Sequence, residues 1–164
     1  MTPAIGLLAL VTAERMGELW LARRNTTALL ARGGYEVAPN HYPWIVLLHA
    51  AWLAGLWAEG WSQPIVPAWL ALFLVLQLGR VWVLATLGRR WTTRIIVVPN
   101  MPLTTGGPYR FARHPNYLVV IGEIAVLPLC LGLPWFALVF SLGNLAVLAI
   151  RVREENESLA MFRA

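Results

Sequence analysis

The chain has 164 residues, 59% hydrophobic and 13% charged, and its net charge of +5 comes from 13 arginines against eight glutamates. Soluble domains are nearer half apolar and a quarter charged, so this composition, with a mean hydropathy of +0.62, indicates one all-α polytopic membrane domain over residues 1–164. The single cysteine, Cys130, excludes an internal disulfide and any cysteine-rich metal site.

The opening stretch, MTPAIGLLALVTAERMGELW, lacks the basic region and small-residue cleavage site of a signal peptide, and is read as mature protein. A membrane span needs about 20 residues to cross roughly 30 Å of hydrocarbon. Five apolar segments approach this, at about 3–21, 42–58, 66–87, 116–131 and 134–150. The first is the weakest, because Glu14, Arg15 and Glu18 interrupt it. Only Gly-Leu-Pro separates the last two, which predicts a tight helical hairpin.

Arg23, Arg24 and Arg32 follow the first segment; Arg89, Arg90, Arg94, Arg110 and Arg113 follow the third; Arg151, Arg153 and Arg163 follow the fifth. The two remaining connections carry no basic residue. Five crossings therefore put every arginine-bearing connection on one side, the cytoplasm, with the N-terminus outside. A basic excess can also indicate nucleic acid, but no solvated face lies between the apolar runs, so no nucleic-acid partner is expected. Tryptophans near span ends, such as Trp44, Trp61, Trp91 and Trp135, fit interfacial anchors, as does His41.

The connection between the third and fourth segments is the least lipid-like part of the chain. RIIVV suits a short extended piece, while PNMP and TGGP are turn signals. Pro115 suits the first turn of the fourth helix, where its missing N–H costs nothing. That helix then presents free N–H groups beside Arg113 and His114, a place for a carboxylate. The stretch AIRVREENESLAMF leaves the fifth span as an amphipathic helix, with Leu148, Val152, Leu159 and Phe162 on its apolar side. Arg151 and Glu155 are one helical turn apart. The hairpin returns this acidic stretch to the face carrying the basic loop, so segments 99–117 and 151–162 together suit a zwitterionic ligand. The bland alternative is a solvated basic loop against lipid headgroups.

His49, Glu123 and Asn144 are polar at apparent membrane depth, where they serve a cavity or a hydrogen-bonded core. Asn116 and Glu123, seven residues apart, share a helical face. The absence of GxGxxG after a strand, GxxxxGK[ST] and HExxH argues against nucleotide-fold and zincin sites. Three widely spaced histidines give no metal site.

GPYRFARHPNYL, followed about forty residues later by RVREE, resembles the isoprenylcysteine carboxyl methyltransferase family over roughly Arg80 to Phe162. The resemblance implies an integral membrane methyltransferase whose cofactor, S-adenosyl-L-methionine, lies in a cytoplasm-facing pocket covered by the loop and the C-terminal helix. By position it implies that Gly107, Pro108, Tyr109, Arg113, His114, Tyr117, Glu154 and Glu155 bind the cofactor, and that Arg151 contacts the reacting group of the acceptor. Asn116 and His49 are further acceptor-side candidates, and Glu123 or His49 a candidate base. Prenylcysteine enzymes often carry histidine three residues before the motif tyrosine, where this chain has Gly106.

RRNTTALLARGGYEVAPNHYPWIVLLH and WTTRIIVVPNMPLTTGGPYRF resemble the bacterial branch associated with type III polyketide synthases. That resemblance implies O-methylation of an alkylpyrone or alkylresorcinol in the bacterial cytoplasmic membrane. The enzymatic alternatives are carboxyl methylation of a prenylcysteine or other lipid-borne acid, phospholipid N-methylation, or NADPH-dependent reduction. The non-enzymatic alternative is a small membrane scaffold or binding protein.

Overall fold

In the computed structural model of the protein, which describes residues 2–37 and 39–161 with the side chains of 41 and 156–161 left out, Thr2 fixes where the first helix begins. Its hydroxyl oxygen caps the Ile5 amide and its O–H donates to the Trp61 carbonyl at 2.6 Å. Helix α1 (Pro3–Leu30) runs nine residues past the 3–21 segment read from hydropathy. Arg23, Arg24 and Asn25 interrupt the apolar pattern without breaking a helix; the stop comes at Gly33, at φ 83°, and Gly34.

Two-residue strands β1 (Tyr35–Glu36) and β2 (Ile96–Val97) pair antiparallel, Tyr35 opposite Val97 and Glu36 opposite Ile96. β2 is the extended piece expected in RIIVV. Gly34 is required at the entry to β1, since an added Cβ would lie 2.7 Å from the Leu29 carbonyl oxygen and 3.0 Å from a Val98 methyl.

Helices α2 (Tyr42–Gly60), α3 (Pro67–Leu87), α4 (Pro115–Cys130) and α5 (Pro134–Met161) complete the bundle. Proline opens α3, α4 and α5, as its fixed φ and missing donor favour. α4 packs between α3 and α5, and the turn before α5 closes through Gly132 at φ 66° and a Leu133 amide bonded to the Pro128 carbonyl at 3.0 Å. The apolar core lies toward this turn, around Leu8, Trp52, Leu56, Phe73, Ile124 and Leu127, so the opposite end of the bundle is left for polar residues.

α5 corrects one expectation: the fifth span and the amphipathic segment after it are a single 28-residue helix. No glycine or proline occurs between Asn144 and Met161, and arginine and glutamate are good helix formers. Among the described residues, two helical stretches are long and apolar enough to cross a membrane, Pro67–Arg90 and Pro134–Glu155, while the apolar α4 is shorter. Their outward faces leave Leu74, Val75, Leu78, Val139 and Leu142 exposed. Phe162 and Arg163 lie outside the described residues, as do the side chains of His41, Glu157 and Leu159.

Candidate active site

At the polar end of the bundle, the α4–α5 hairpin brings the first turn of α4 against residues near the end of α5. His114 is the N-cap of α4 and Pro115 opens the helix. The His114 and Tyr117 rings, one turn apart, stack with centroids 5.2 Å apart and planes 16° from parallel. Arg151 is 8% exposed and uses its guanidinium twice. Its Nε donates to the Tyr117 hydroxyl at 2.7 Å and its Nη1 to the Thr93 carbonyl at 2.8 Å. The Tyr117 hydroxyl in turn donates to Glu155 Oε2. The second Glu155 oxygen lies 3.8 Å from His114 Nδ1.

These residues face a cavity of about 970 Å³. Its other walls come from Leu29 at the end of α1, Leu87 at the end of α3, and residues 90–92, 94–98 and 101–105. Tyr109, Arg113, His114, Asn116, Tyr117, Arg151 and Glu155 therefore meet at one cavity. The Asn116 Oδ1 is buried and has no hydrogen-bond partner among the described residues. Burial, with Glu155 nearby, pushes the Tyr109 hydroxyl up to about 12, so this ring stays neutral and able to donate across the physiological range.

Gly107 and Pro108 do not line the cavity. They form the 3-10 turn Gly107–Arg110 that carries Tyr109 into it. Gly107 sits at φ 57°, and an added Cβ would lie 2.4 Å from the Thr86 hydroxyl oxygen, so glycine is required by both backbone conformation and space. Glu154 is half-buried on α5 and also lies off the cavity wall.

Glu123 and His49 are placed elsewhere. Glu123 is nine residues after His114, about 13 Å along the helix axis, beyond the cavity. It is 3% exposed and sits in a charged cluster drawn from three helices. Arg80 forms a bidentate pair with it, Nε donating at 2.7 Å and Nη2 to the other oxygen. Gln77 Nε2 donates at 3.0 Å and Arg15 Nη2 at 3.1 Å, while Glu18 pairs with Arg15 and Arg80 at 2.8 and 3.3 Å. A carboxylate this fully engaged by cations is built to anchor. His49 bonds through Nδ1 to the Ile45 carbonyl in its own helix at 2.8 Å.

Hydropathy gave no hint of Arg80, which sits within the third apolar run yet is 5% exposed. The usable signal was an arginine at span depth, which needs an acidic partner. Asn25, Tyr42 and Thr93 were likewise missed. The Asn25 amide donates to the Gly88 and Trp91 carbonyls at 3.0 and 2.8 Å, and Tyr42 bonds the Thr93 hydroxyl at 3.0 Å. Arg94 pairs with Glu36 at 2.7 Å, which raises the arginine further above its ordinary value. These ties hold the 88–97 wall to the N-terminal half of the chain.

The chain is 36% identical over 158 residues to the uncharacterized protein YpbQ of Bacillus subtilis (strain 168), covering 93% of this chain and 94% of that protein. It is 24% identical over 160 residues to an uncharacterized protein of Haemophilus influenzae (strain Rd), covering 93% and 92%. No solved structure shows significant similarity to it. The model of the isoprenylcysteine carboxyl methyltransferase family matches residues 69–161, the stretch that supplies α3, the loop, α4 and α5. The chain belongs to that family, which, with its two apolar helices, marks it as a membrane methyltransferase.

Proposed function

We propose that the protein transfers a methyl group from S-adenosyl-L-methionine to a hydroxyl of a lipid-like acceptor held in the bilayer, an alkylpyrone or alkylresorcinol. The observation that carries this reading is the hydrogen-bonded chain Arg151–Tyr117–Glu155 on one wall of a cavity at the end of two apolar helices. A charged donor and an apolar acceptor then meet in one small protein.

The residues present fit the methyl donor. At about 970 Å³ the cavity is at the upper end of the roughly 300–1,000 Å³ usual for small-molecule sites. Arg113 offers positive charge, and His114 a ring nitrogen for hydrogen bonding, to a carboxylate. Glu155 and the Asn116 Oδ1, which has no partner among the described residues, offer acceptors for an ammonium group or ribose hydroxyls. Ile95, Val97, Met101 and Leu103 offer apolar surface for a flat base. When bound, S-adenosyl-L-methionine supplies an electrophilic methyl on a sulfonium sulfur.

This chain's own contribution is alignment and charge. Arg151 is already oriented by Thr93 and Tyr117, so a hydroxyl presented beside it is favoured as its anion. Gly106 leaves open space where prenylcysteine enzymes often carry histidine, which favours the hydroxyl acceptor over a prenylcysteine carboxylate. In our reading all five helices cross the bilayer, with the cavity and C-terminus cytoplasmic, and the acceptor comes from a type III polyketide synthase.

The test is incubation of detergent-purified protein with methyl-labelled S-adenosyl-L-methionine and three acceptors side by side. We expect label in the alkylpyrone or alkylresorcinol. Label only in a prenylcysteine would replace the acceptor with a carboxylate. Absence of both saturable donor binding and transfer in folded protein would leave a membrane scaffold.

A further inference from the structure

We infer that Asn25, outside the family-matched stretch 69–161, is a positioning residue for Arg151. The inference rests on the proposed role of Arg151 at the acceptor. Asn25 is 4% exposed, on the face of α1 that carries Ala22 and Leu29 inward. One amide nitrogen serves two carbonyls, Gly88 at 3.0 Å and Trp91 at 2.8 Å. It therefore spans the 3-10 turn Gly88–Arg90 that ends α3. Gly88, at φ 51°, leaves the helical path there, so the turn lacks the continuous ladder that would otherwise hold it.

Two residues past Trp91 stands the carbonyl of Thr93, which receives Arg151 Nη1 at 2.8 Å. The same Thr93 is gripped from the other side by the Tyr42 hydroxyl, at the start of α2. Thr93 is thus located by Asn25 through the turn and by Tyr42 directly. Arg151 Nε, on the same rigid guanidinium, is then directed to Tyr117, to which it donates at 2.7 Å. Neither N-terminal residue lines the cavity. The N-terminal half thereby sets the angle of a guanidinium that the C-terminal half carries.

Asparagine suits this task because its two amide hydrogens diverge toward two carbonyls. Aspartate keeps the shape but faces both carbonyls with acceptors alone. A buried amide serving a turn 63 residues away also explains why hydropathy did not single it out.

The experiment measures methyl transfer and donor binding in Asn25→Ala, Asn25→Asp and Tyr42→Phe, and repeats Asn25→Ala in an Arg151→Lys background. We expect Asn25→Ala to lower kcat/KM for the acceptor about tenfold or more while the donor Kd changes less than threefold, with Tyr42→Phe showing a smaller loss of the same kind. In the Arg151→Lys background the Asn25→Ala loss should shrink to less than about threefold, since effects of residues acting through one another do not add. Equal losses in both backgrounds, or full activity in Asn25→Ala, would overturn the inference. Should Asn25→Ala fail to fold, unchanged kcat/KM in Tyr42→Phe would overturn it instead. Inactive wild-type protein would fault the methyltransfer reading itself, so the two failures are distinguishable.

Discussion

Arg151 and Tyr117, 34 residues apart in sequence, are joined by a 2.7 Å hydrogen bond from Nε to the phenol oxygen, and the guanidinium carbon lies 5.5 Å from the ring centroid. Since the same hydroxyl donates to Glu155, the phenol connects the cation proposed for the acceptor to the acid proposed for the donor. Tyr117→Phe keeps the ring and its stacking on His114 but cuts both bonds. Hydrogen bonds to charged groups contribute about 1.5–3 kcal/mol each. We expect kcat/KM to fall by one to two orders of magnitude with the fold retained, checked by steady-state assay and thermal melting.

Glu155 and Arg151 should separate the two substrates. Glu155→Gln keeps a carbonyl oxygen for the Tyr117 hydroxyl while removing charge, so donor affinity should fall about tenfold by calorimetric titration, consistent with about 1.4 kcal/mol. Arg151→Lys keeps the charge but loses the fork that reaches Thr93 and Tyr117 together. Its loss should appear in acceptor kcat/KM, with donor affinity nearly unchanged.

Glu123→Ala tests the anchoring role of the charged cluster. Removing the carboxylate leaves the buried Arg80 and the half-buried Arg15 with Glu18 as their one remaining shared carboxylate, and breaking a buried pair such as Arg80–Glu123 costs about 3–5 kcal/mol. A large drop in thermal stability is expected, with donor affinity retained in whatever protein remains folded. The isosteric Glu123→Gln should be milder. If it folded with wild-type stability yet lost turnover, Glu123 would return as the base.

Two adjacent glycines give a sharp contrast. Gly107→Ala combines a left-handed backbone with a collision against Thr86, and should cost about 1–3 kcal/mol. Gly106→Ala meets open space at an ordinary extended φ of −84° and should be neutral. Melting curves of the two variants decide this.

How much of this was legible in the sequence varies with the range of the interaction. The loop motif and RVREE were readable as partners because a three-residue turn leaves a hairpin little freedom. The start of α4 was readable from Pro115, since proline fixes a first turn locally. The reach of α1 to Leu30 was not, because Arg23 to Asn25 lower hydropathy without breaking a helix; the stop signal was Gly33-Gly34. The cluster around Glu123 escaped because Arg15, Glu18, Gln77 and Arg80 reach it from two other helices, and hydropathy along one helix says nothing of its neighbours. Asn25 escaped for the same reason.

Tyr109 gives a prediction in pH. Its hydroxyl is raised from the ordinary value near 10 to about 12 by burial and then by Glu155. The folded state therefore holds this proton more tightly than the unfolded chain. Its contribution is fully present below about pH 10 and is lost as pH rises through about 12. Tyr109→Phe should remove that part of the alkaline destabilisation, seen by comparing melting temperatures of the two proteins across this window.

In the proposed reaction one cavity holds a methyl donor and delivers its methyl to a hydroxyl beside Arg151. The most direct measurement is transfer of labelled methyl from S-adenosyl-L-methionine to an alkylpyrone by purified protein, compared with Glu155→Gln and Arg151→Lys. Saturable transfer to the acceptor hydroxyl is expected, weakened through donor affinity in the first variant and through acceptor turnover in the second. Folded wild-type protein that neither binds the donor saturably nor labels any acceptor would contradict it.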